Sequence, residues 1–456
     1  MKLKKLVGLF LTAALSVTLL AGCGDNKDNS NSSDSGTTSE STDNTDNTGD
    51  DQSADNVSSD EEVKLTFLVW GESQNKGMQA MCDAYTAQHP NVTIEVQSTG
   101  WNEYWTKLEA SATGNTMPDI FWMHTNELLK YADNGILADV TDLYEDSYYT
   151  DHFSDVSISN TQGSDGNMYG VPKDKDTISL IYNKEIFDEV GLDYPDENWT
   201  WENITEASEK IYAETGNYGF LANLEDQAGY WNFVYQAGGY ILDEDKTTAG
   251  FTQPATIKGM EFYFGMQNEE WCPDQAYFAE TDPATTFFSG KAGMFLEGSW
   301  NLKDRLDAFP EMVGKWDVAV LPKCADPESG DGRATISNGL SYATAAKGKN
   351  VDVALDVIKF FGTEEAMKIQ GESGAAIPAY LGTEETFTGV FDQYDYRIDV
   401  EKHLEMLDYS VQSVNNASRP EWKPKVNDEL LKALSGEMTL TQAIENCQKI
   451  VDEASK

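Results

Sequence analysis

The sequence lacks the motifs of common enzyme classes and is poor in basic residues and in histidine. It contains no GxSxG elbow, P-loop, GxGxxG or HExxH pattern. Lys and Arg number 32 against 78 Asp and Glu, so the formal net charge is −46. Such a surface repels nucleic acid and anionic ligands and favours a neutral ligand. The four histidines have no neighbours at metal-ligand spacing: His89, His124, His152 and His403. We therefore expect no enzyme, no metal site and no cofactor.

The five cysteines form no CxxC pair and no zinc-type spacing. Cys82 and Cys447 fall on apolar faces of predicted helices and are expected to be core thiols. A disulfide between Cys272 and Cys324 stays open, because an exported chain could form one. A calcium site in the acidic stretch 243–245 is also left open, although such a loop is more often simply solvated.

Long apolar runs are absent after the first 22 residues, where no stretch reaches the 18 residues of a membrane span. At the N-terminus, lysines precede an apolar run of 15 residues, 6–20, which ends in Leu20-Ala21-Gly22-Cys23. This pattern resembles a bacterial lipoprotein signal, so we predict a signal peptide over 1–22 and lipidation of Cys23. An ordinary signal peptide or an uncleaved anchor is the alternative.

The segment 23–62 is acidic and contains no aromatic residue. It cannot bury enough apolar surface to offset its ordering entropy, so we predict a disordered tether. The remaining residues, about 390, are enough for two domains.

The order of predicted elements indicates an α/β body. Residues 63–70, 92–96 and 119–123 have strand patterns, and helical periodicity fills 74–89 and 101–112 between them. This alternation predicts a parallel sheet with helices on both faces and a ligand crevice at the carboxyl ends of the strands. A second unit begins with a strand at 177–182. Its helices are predicted at 257–267, after Thr200, and after a capping box formed by Thr439 and Gln442.

Tryptophan is abundant, with 11 residues, and several follow predicted strands. Flat apolar rings suit the C–H faces of sugars, and polar groups beside them suit the hydroxyls. Trp199 and Trp201 flank the Thr200 cap and are expected to pack the helix start instead. The alternative for any one tryptophan is a role in the core. The residues chosen on this basis are Trp70, Trp122 and Trp300 with Glu72, His124, Asn126, Asp174, Asp176, Glu297 and Asn338.

An ordered set of segments resembles family 1 extracellular solute-binding proteins of carbohydrate ABC transporters. The segments are Pro118-Asp119-Ile120, 171–177, 182–187, 191–195, 199–201, 288–294, 298–300, 374–378 and 435–437. The similarity covers residues 63–456. The resemblance implies an α/β, two-lobed periplasmic-binding-protein-like fold with hinge strands and an interlobe cleft that holds sugar. It also implies ABC transporter permease subunits and an ATPase as partners.

The resemblance further implies lobes that are each discontinuous in sequence. We expect an N-terminal lobe of 63–172 and 336–380, and a C-terminal lobe of 173–335 and 381–456, with crossings near 172–178, 333–340 and 378–388. Trp231 joins the predicted ligand-binding residues because its position matches a ligand contact of the family. Trp101 and Trp422 complete this set. We expect the mature protein to be a monomeric lipoprotein on the outer face of a Gram-positive cell membrane.

Two other functions stay open at this point. One is a membrane-tethered glycoside hydrolase, because a catalytic pair could be chosen among so many acids. The other is a binding protein for a non-sugar solute such as a peptide, a polyamine or a metal complex. Shortened oligosaccharide products would identify the first, and calorimetry with a ligand panel would identify the second.

Overall fold

The computed structural model describes residues 61–145, 147–394 and 396–456. The predicted signal peptide, the lipidation site Cys23 and the tether up to residue 60 lie outside the described residues. In the ranges that are described, no helix has both the length and the apolar character needed to cross a membrane.

The described chain alternates between strands and helices. The strands are β1 (Val63–Trp70), β2 (Val92–Thr99), β3 (Ile120–His124), β4 (Val171–Pro172), β5 (Ile178–Asn183), β6 (Tyr218–Phe220), β7 (Ala292–Gly298), β8 (Trp316–Ala319), β9 (Thr335–Ser337), β10 (Leu340–Thr344) and β11 (Ser410–Gln412). The helices are α1 (Asn75–Gln88), α2 (Trp101–Gly114), α3 (Thr125–Asp133), α4 (Ser147–His152), α5 (Asp155–Ser159), α6 (Lys184–Val190), α7 (Trp201–Thr215), α8 (Trp231–Gln236), α9 (Pro254–Gly265), α10 (Gln275–Phe278), α11 (Pro283–Phe288), α12 (Leu302–Ala308), α13 (Val351–Phe361), α14 (Glu364–Glu372), α15 (Glu384–Thr388), α16 (Glu401–Met406), α17 (Arg419–Leu434) and α18 (Leu440–Ala454).

The first sheet has the order β2-β1-β3-β10-β4. β1 pairs in parallel with both β2 and β3, as the strand–helix alternation predicted. β10 returns from far along the chain and pairs antiparallel with β3 and β4. Phe67 and Val69 join one apolar cluster while Leu68 joins another, because successive side chains point to opposite faces. Both faces are therefore covered, which explains the nearly continuous apolar run of β1.

The second sheet has the order β6-β7-β5-β8. β5 lies between β7 and β8 and is antiparallel to both, and β6 is parallel to β7. Leu180 and Ile181 of β5 enter different apolar clusters, so this sheet is also packed on both faces. The last two helices, α17 and α18, pack on the same side as Leu180. Each sheet thus has its own core.

Two polar stretches of chain connect the sheets. The first links β4 of one sheet to β5 of the other through residues 173–177, and the second lies between β8 and β10. Within the second stretch, β9 pairs in parallel with β11. These connections bring residues of both sheets to a common edge.

Several predicted elements of the body are present in the structure. The strand predicted at 63–70 has the same limits, α1 and α2 differ from their predictions by at most two residues at either end, and α7 begins directly after Thr200. Trp201 is buried and stacks on Phe262 with ring centroids 4.6 Å apart, so it packs the start of α7 as expected.

The four cysteines within the described residues are free and buried. The open pairing of Cys272 with Cys324 is therefore not formed, and Cys82 and Cys447 are core thiols. In the acidic stretch, Asp243 accepts backbone N–H groups of Thr247 and Thr248 at 2.8 and 3.0 Å. No group of three or more His, Cys, Asp or Glu side chains in the described ranges is placed to hold a metal ion.

The predicted capping box at the start of α18 is present. Thr439 Oγ1 accepts the Gln442 N–H at 3.2 Å, and Gln442 Oε1 accepts the Thr439 N–H at 2.9 Å. We predict that Thr439→Ala lowers the free energy of unfolding by about 1 kcal/mol, because amide donors at the helix start lose their acceptor. Urea unfolding measures this loss. Thr439→Ser keeps the hydroxyl and should lie within a few tenths of a kcal/mol of the wild type; equal losses in both variants would contradict the capping role.

Candidate ligand-binding cavity

A cavity of about 470 Å³ lies where the polar connections meet the strand ends of both sheets. Trp70 and His124 are the last residues of β1 and β3, and Trp300 follows the end of β7. The position matches the predicted crevice at the carboxyl ends of strands. The residues that line it are Trp70, Gln74, Trp101, His124, Asn126, Asp174, Asp176, Glu225, Asp226, Gln227, Trp300, Asn338, Leu340, Ala376, Arg419 and Lys423.

Three tryptophans supply the apolar part of the lining. Trp70 and Trp101 meet edge to face with centroids 5.1 Å apart, and Trp101 remains 46% exposed. A large ring that remains this exposed at a cavity is available to a ligand. Trp300 comes from the other sheet, so the aromatic lining is contributed by both halves of the body.

Gly298 and Glu297 position Trp300. A Cβ atom on Gly298 would lie 2.3 Å from the Trp300 ring, so only glycine lets the ring rest against the strand end. Glu297 Oε1 accepts from Gly298 N at 3.0 Å and Asn301 Nδ2 at 2.7 Å, and Oε2 accepts from Arg305 Nε at 2.8 Å. Glu297 therefore fixes the turn that carries Trp300.

Asp174 and Asp176 reach the cavity from the connection between β4 and β5. Asp174 accepts Lys173 Nζ at 2.6 Å on Oδ2 and Leu340 N at 2.9 Å on Oδ1. Asp176 Oδ1 accepts Asn338 N at 2.7 Å. Burial, followed by the charge of Asp174, raises the pKa of Asp176 well above its ordinary value. Two carboxyl groups are thus held at the wall, each by a backbone amide.

Lys173 supports this wall from behind, with none of its surface exposed. Its ammonium also donates to Gln74 Oε1 at 3.1 Å and lies 4.4 Å from the centroid of the Trp122 ring. A buried ammonium persists only when it is paired in this way. The pairing orients the Gln74 amide, which lines the cavity.

The wall opposite the first sheet carries a cluster of charged groups. Asp226 Oδ2 accepts Arg419 Nη2 at 2.9 Å and lies 3.0 Å from Lys423 Nζ. Burial disfavours ionisation of Asp226, but the charges of Lys423 and Arg419 outweigh it and hold its pKa below the usual range. Burial and the charge of Asp226 raise the pKa of Glu225. Arg419 begins α17 and Lys423 lies one turn later, so one helix face supplies both cations.

His124 is a neutral donor at the edge of the first sheet. Its Nδ1 accepts the Asn126 N–H at 3.1 Å, which caps α3. Burial, followed by the charge of Arg419, lowers the pKa of His124 to about 3. Because Nδ1 accepts a hydrogen bond, we assign the proton of the neutral ring to Nε2.

Several buried polar atoms of the lining have no partner among the described residues. They are Asn126 Oδ1, Asn338 Oδ1 and Arg419 Nε. An unpaired buried polar group costs about 1–3 kcal/mol, so such atoms are rare unless water or a ligand satisfies them. Acceptors and donors both occur in the set, which suits a ligand with hydroxyl groups.

The structure brings seven of the twelve predicted ligand residues together in the lining. They are Trp70, Trp101, His124, Asp174, Asp176, Trp300 and Asn338. Asn126, also singled out from the sequence, lines the cavity as well.

Five predicted ligand residues lie elsewhere, and their placement removes them from the candidate site. Trp122, Trp231 and Trp422 are fully buried members of the apolar clusters. Glu297 is engaged by its own turn, as described above. Glu72 follows Gly71, whose φ of 73° begins a turn, and its side chain is exposed to solvent.

Sequence reasoning missed the lining residues Gln74, Glu225, Asp226, Gln227, Leu340, Ala376, Arg419 and Lys423. Arg419 and Asp226 are 193 positions apart in the chain, and no local pattern joins them. The spacing of Arg419 and Lys423 on one helix was the available signal. Because charges on helix surfaces commonly have the same spacing, this signal did not identify the two residues as part of the site.

The comparison with known proteins identifies similar chains along most of this one. A sequence model of the bacterial extracellular solute-binding proteins matches residues 71–368. The chain is 25% identical over 341 residues to the galactooligosaccharide-binding protein of Bacillus subtilis (strain 168), covering 73% of this chain and 76% of that protein. It is 24% identical over 325 residues to the lactose-binding protein of Rhizobium radiobacter, covering 68% and 74%.

A solved structure with a similar fold is an ABC substrate-binding protein from Listeria monocytogenes in complex with cycloalternan. The TM-score is 0.76 at 23% identity, over 86% of this chain and 99% of that one. The likeness confirms the two-lobed α/β fold that was expected from the sequence.

The contact between Gly298 and Trp300 predicts a measurable coupling. Gly298→Ala should cost about 1–3 kcal/mol of unfolding free energy through overpacking. In a Trp300→Ala background the same change should cost almost nothing, because the clashing ring is gone. Urea unfolding of the four proteins in this cycle measures the coupling. Gly389→Ala is the control, because a Cβ there meets no atom of the described residues within 4 Å; an equal cost of Gly298→Ala in both backgrounds would contradict the contact.

The lowered pKa of His124 predicts a pH-dependent stability. Between pH 6.5 and about 3 the unfolded chain binds a proton that the folded chain does not, so this contribution to stability is lost as pH falls through that window. The slope is at most about 1.4 kcal/mol per pH unit. His124→Asn retains a capping acceptor and should flatten the wild-type curve in urea unfolding between pH 6.5 and 4. Parallel curves would show that His124 titrates normally.

Proposed function

The chain belongs to the family of bacterial extracellular solute-binding proteins, and from that premise we propose that it captures a neutral mono- or oligosaccharide in this cavity and delivers it to an ABC transporter permease. The observation that carries the proposal is the combination of three tryptophan rings with fixed, partly unsatisfied polar groups in one cavity. The relatives named as binding lactose and galactooligosaccharide support the same ligand class.

The rings and the polar groups would divide the recognition of a sugar between them. Trp70, Trp101 and Trp300 would cover the C–H faces, since pockets of this kind combine an apolar lining with a few oriented polar groups. Asp176 and Asn338 would bond hydroxyls. Arg419 and Lys423 are already bonded to a carboxylate, which favours an uncharged ligand over an anion.

Capture would proceed by closure of the lobes without a covalent step. A ligand shifts the open–closed equilibrium only through contacts that differ between the two states. A cavity lined by residues of both sheets provides such contacts when the lobes approach. Release would follow when the transporter reopens the lobes.

We also propose the lobe limits given by the sequence, with 63–172 and 336–380 in one lobe and 173–335 and 381–456 in the other. The sheets support this division, because every strand of the first sheet falls in the ranges of one lobe and every strand of the second sheet falls in those of the other. Lipidation at Cys23 and an acidic tether would hold a monomer on the outer face of a Gram-positive cell membrane. Two or more acyl chains suffice for stable anchoring.

Fluorescence titration with a panel of lactose, galactooligosaccharides and maltooligosaccharides tests the proposal. We predict saturable quenching or a shift of tryptophan emission, and a loss of affinity of about tenfold or more in Trp300→Ala, equivalent to about 1.4 kcal/mol. Trp199→Phe is the control, because Trp199 packs beside α7 outside the cavity.

Two results would contradict the proposal. Full affinity in Trp300→Ala would remove this ring from the site. Saturable binding of peptides or polyamines with none of sugars would replace the ligand class, and shortened sugars after incubation would indicate a hydrolase.

A further inference from the structure

The segment 173–178 between the sheets is bonded differently on its two sides. On one side it makes backbone hydrogen bonds with 377–379: Lys175 N donates to Ile377 O at 3.1 Å, and Ala379 N donates to Lys173 O at 3.2 Å. These are ordinary ladder bonds, which hold two strands at a fixed spacing.

On the other side the segment faces 335–340. Lys173 N donates to Leu340 O at 2.8 Å where the segment begins, and beyond that point side chains take the place of backbone ladder bonds. Asp174 Oδ1 accepts Leu340 N at 2.9 Å, and Asp176 Oδ1 accepts Asn338 N at 2.7 Å. Thr335 Oγ1 accepts Ile178 N at 2.8 Å. We call these three bonds the side-chain rungs. Because a side chain can rotate about its own torsions, such rungs tolerate a change of angle between two strands better than backbone bonds do. Bending between the lobes is therefore expected on this side.

Two of the rungs also face the cavity. Asp174 and Asp176 line it, whereas Thr335 does not. Asp174 Oδ2 is already bonded to Lys173. Among the described residues, the hydrogen bonds to Asp176 fall on Oδ1 alone, since Gln227 Nε2 also donates to that oxygen, at 3.3 Å.

The side chain of Asn338 connects the Asp176 rung to Gln227, which also lines the cavity. Its Nδ2 donates to Gln227 Oε1, while its own Oδ1 is buried with no partner within the described part of the chain. A ligand hydroxyl that bonds Asn338 Oδ1 or Asp176 Oδ2 would thus touch a residue that forms a rung. Such a contact would act directly on the hydrogen bond that joins segment 173–178 to segment 335–340.

We propose that Asp176 is a positioning residue that couples ligand binding to lobe closure, because one oxygen of its carboxyl group accepts the amide of Asn338 while the residue lines the cavity, where a ligand would bond the other oxygen. The proposal rests on the proposed function for the identity of the ligand. The ligand contact that differs between the open and closed states would then lie at this hydrogen bond.

The first arm of the test uses no ligand. Amide hydrogen exchange at Asn338 is measured in the full-length wild type, Asp176→Ala and Asp176→Asn. We expect exchange at this amide to be at least tenfold faster in Asp176→Ala, and within about threefold of the wild type in Asp176→Asn, which keeps Oδ1 as an acceptor. Unchanged exchange in Asp176→Ala would show that the rung does not hold the segment, and would overturn the proposal.

The second arm measures the radius of gyration by small-angle X-ray scattering, with and without saturating galactotriose. We expect the wild type and Asp176→Asn to become more compact with the sugar, and Asp176→Ala to bind it more weakly and to lose at least half of the compaction at saturation. Thr335→Val removes a rung that has no cavity contact and should keep the wild-type compaction.

Two outcomes of this arm would overturn the coupling. One is full compaction of Asp176→Ala at saturation, which would reduce Asp176 to a simple ligand contact. The other is the same loss of compaction in Thr335→Val. It would show that the number of side-chain rungs, and not the cavity contact of Asp176, determines the compaction. If the wild type binds no sugar of the panel, the proposed function fails, and the exchange arm still decides whether Asp176 holds the hinge.

Discussion

The structure depends on the burial of five consecutive polar residues between the two sheets, Lys173 to Thr177. Burying such groups without partners would cost several kcal/mol each. Every one of them is bonded: Lys173 to Asp174 and Gln74, Lys175 to Glu384, Asp176 to the 338 amide, and Thr177 to His403. The partners come from the loop before α1, from the stretch between β9 and β10, and from α15 and α16. The buried stretch is therefore satisfied only when segments from distant parts of the chain have come together.

This constraint also explains why the cavity is where it is. A polar connection that cannot pack into either apolar core stays at the boundary between them, and the ends of β1, β3 and β7 meet it there. The strand ends supply tryptophan rings, the connection supplies carboxyl groups, and α17 supplies the cations. Hydrogen bonds in this partly dehydrated place are stronger than in water, while unsatisfied groups are more costly. A ligand that completes the unpaired atoms gains from both effects.

Local patterns in the sequence were sufficient for most of the fold but for only part of the site. β1 and α2 were predictable because apolar periodicity and flanking breakers act within about 15 residues. Trp70 and Trp300 were chosen because each follows a predicted strand, and both line the cavity. Trp122 was chosen for the same reason but lies in the core, because packing from distant segments places a ring at a strand end and no local pattern records that packing. Arg419 was missed for the related reason that its partner, Asp226, lies 193 positions away.

We propose that both lobes close on an intact, uncharged sugar. Isothermal titration calorimetry of the full-length protein with galactooligosaccharides, followed by mass analysis of the recovered sugar, tests this proposal. We expect one binding site per chain, a negative heat-capacity change from burial of the rings, and recovery of the sugar at its original mass. Shortened products, or heats no larger than those of dilution across the panel, would contradict it.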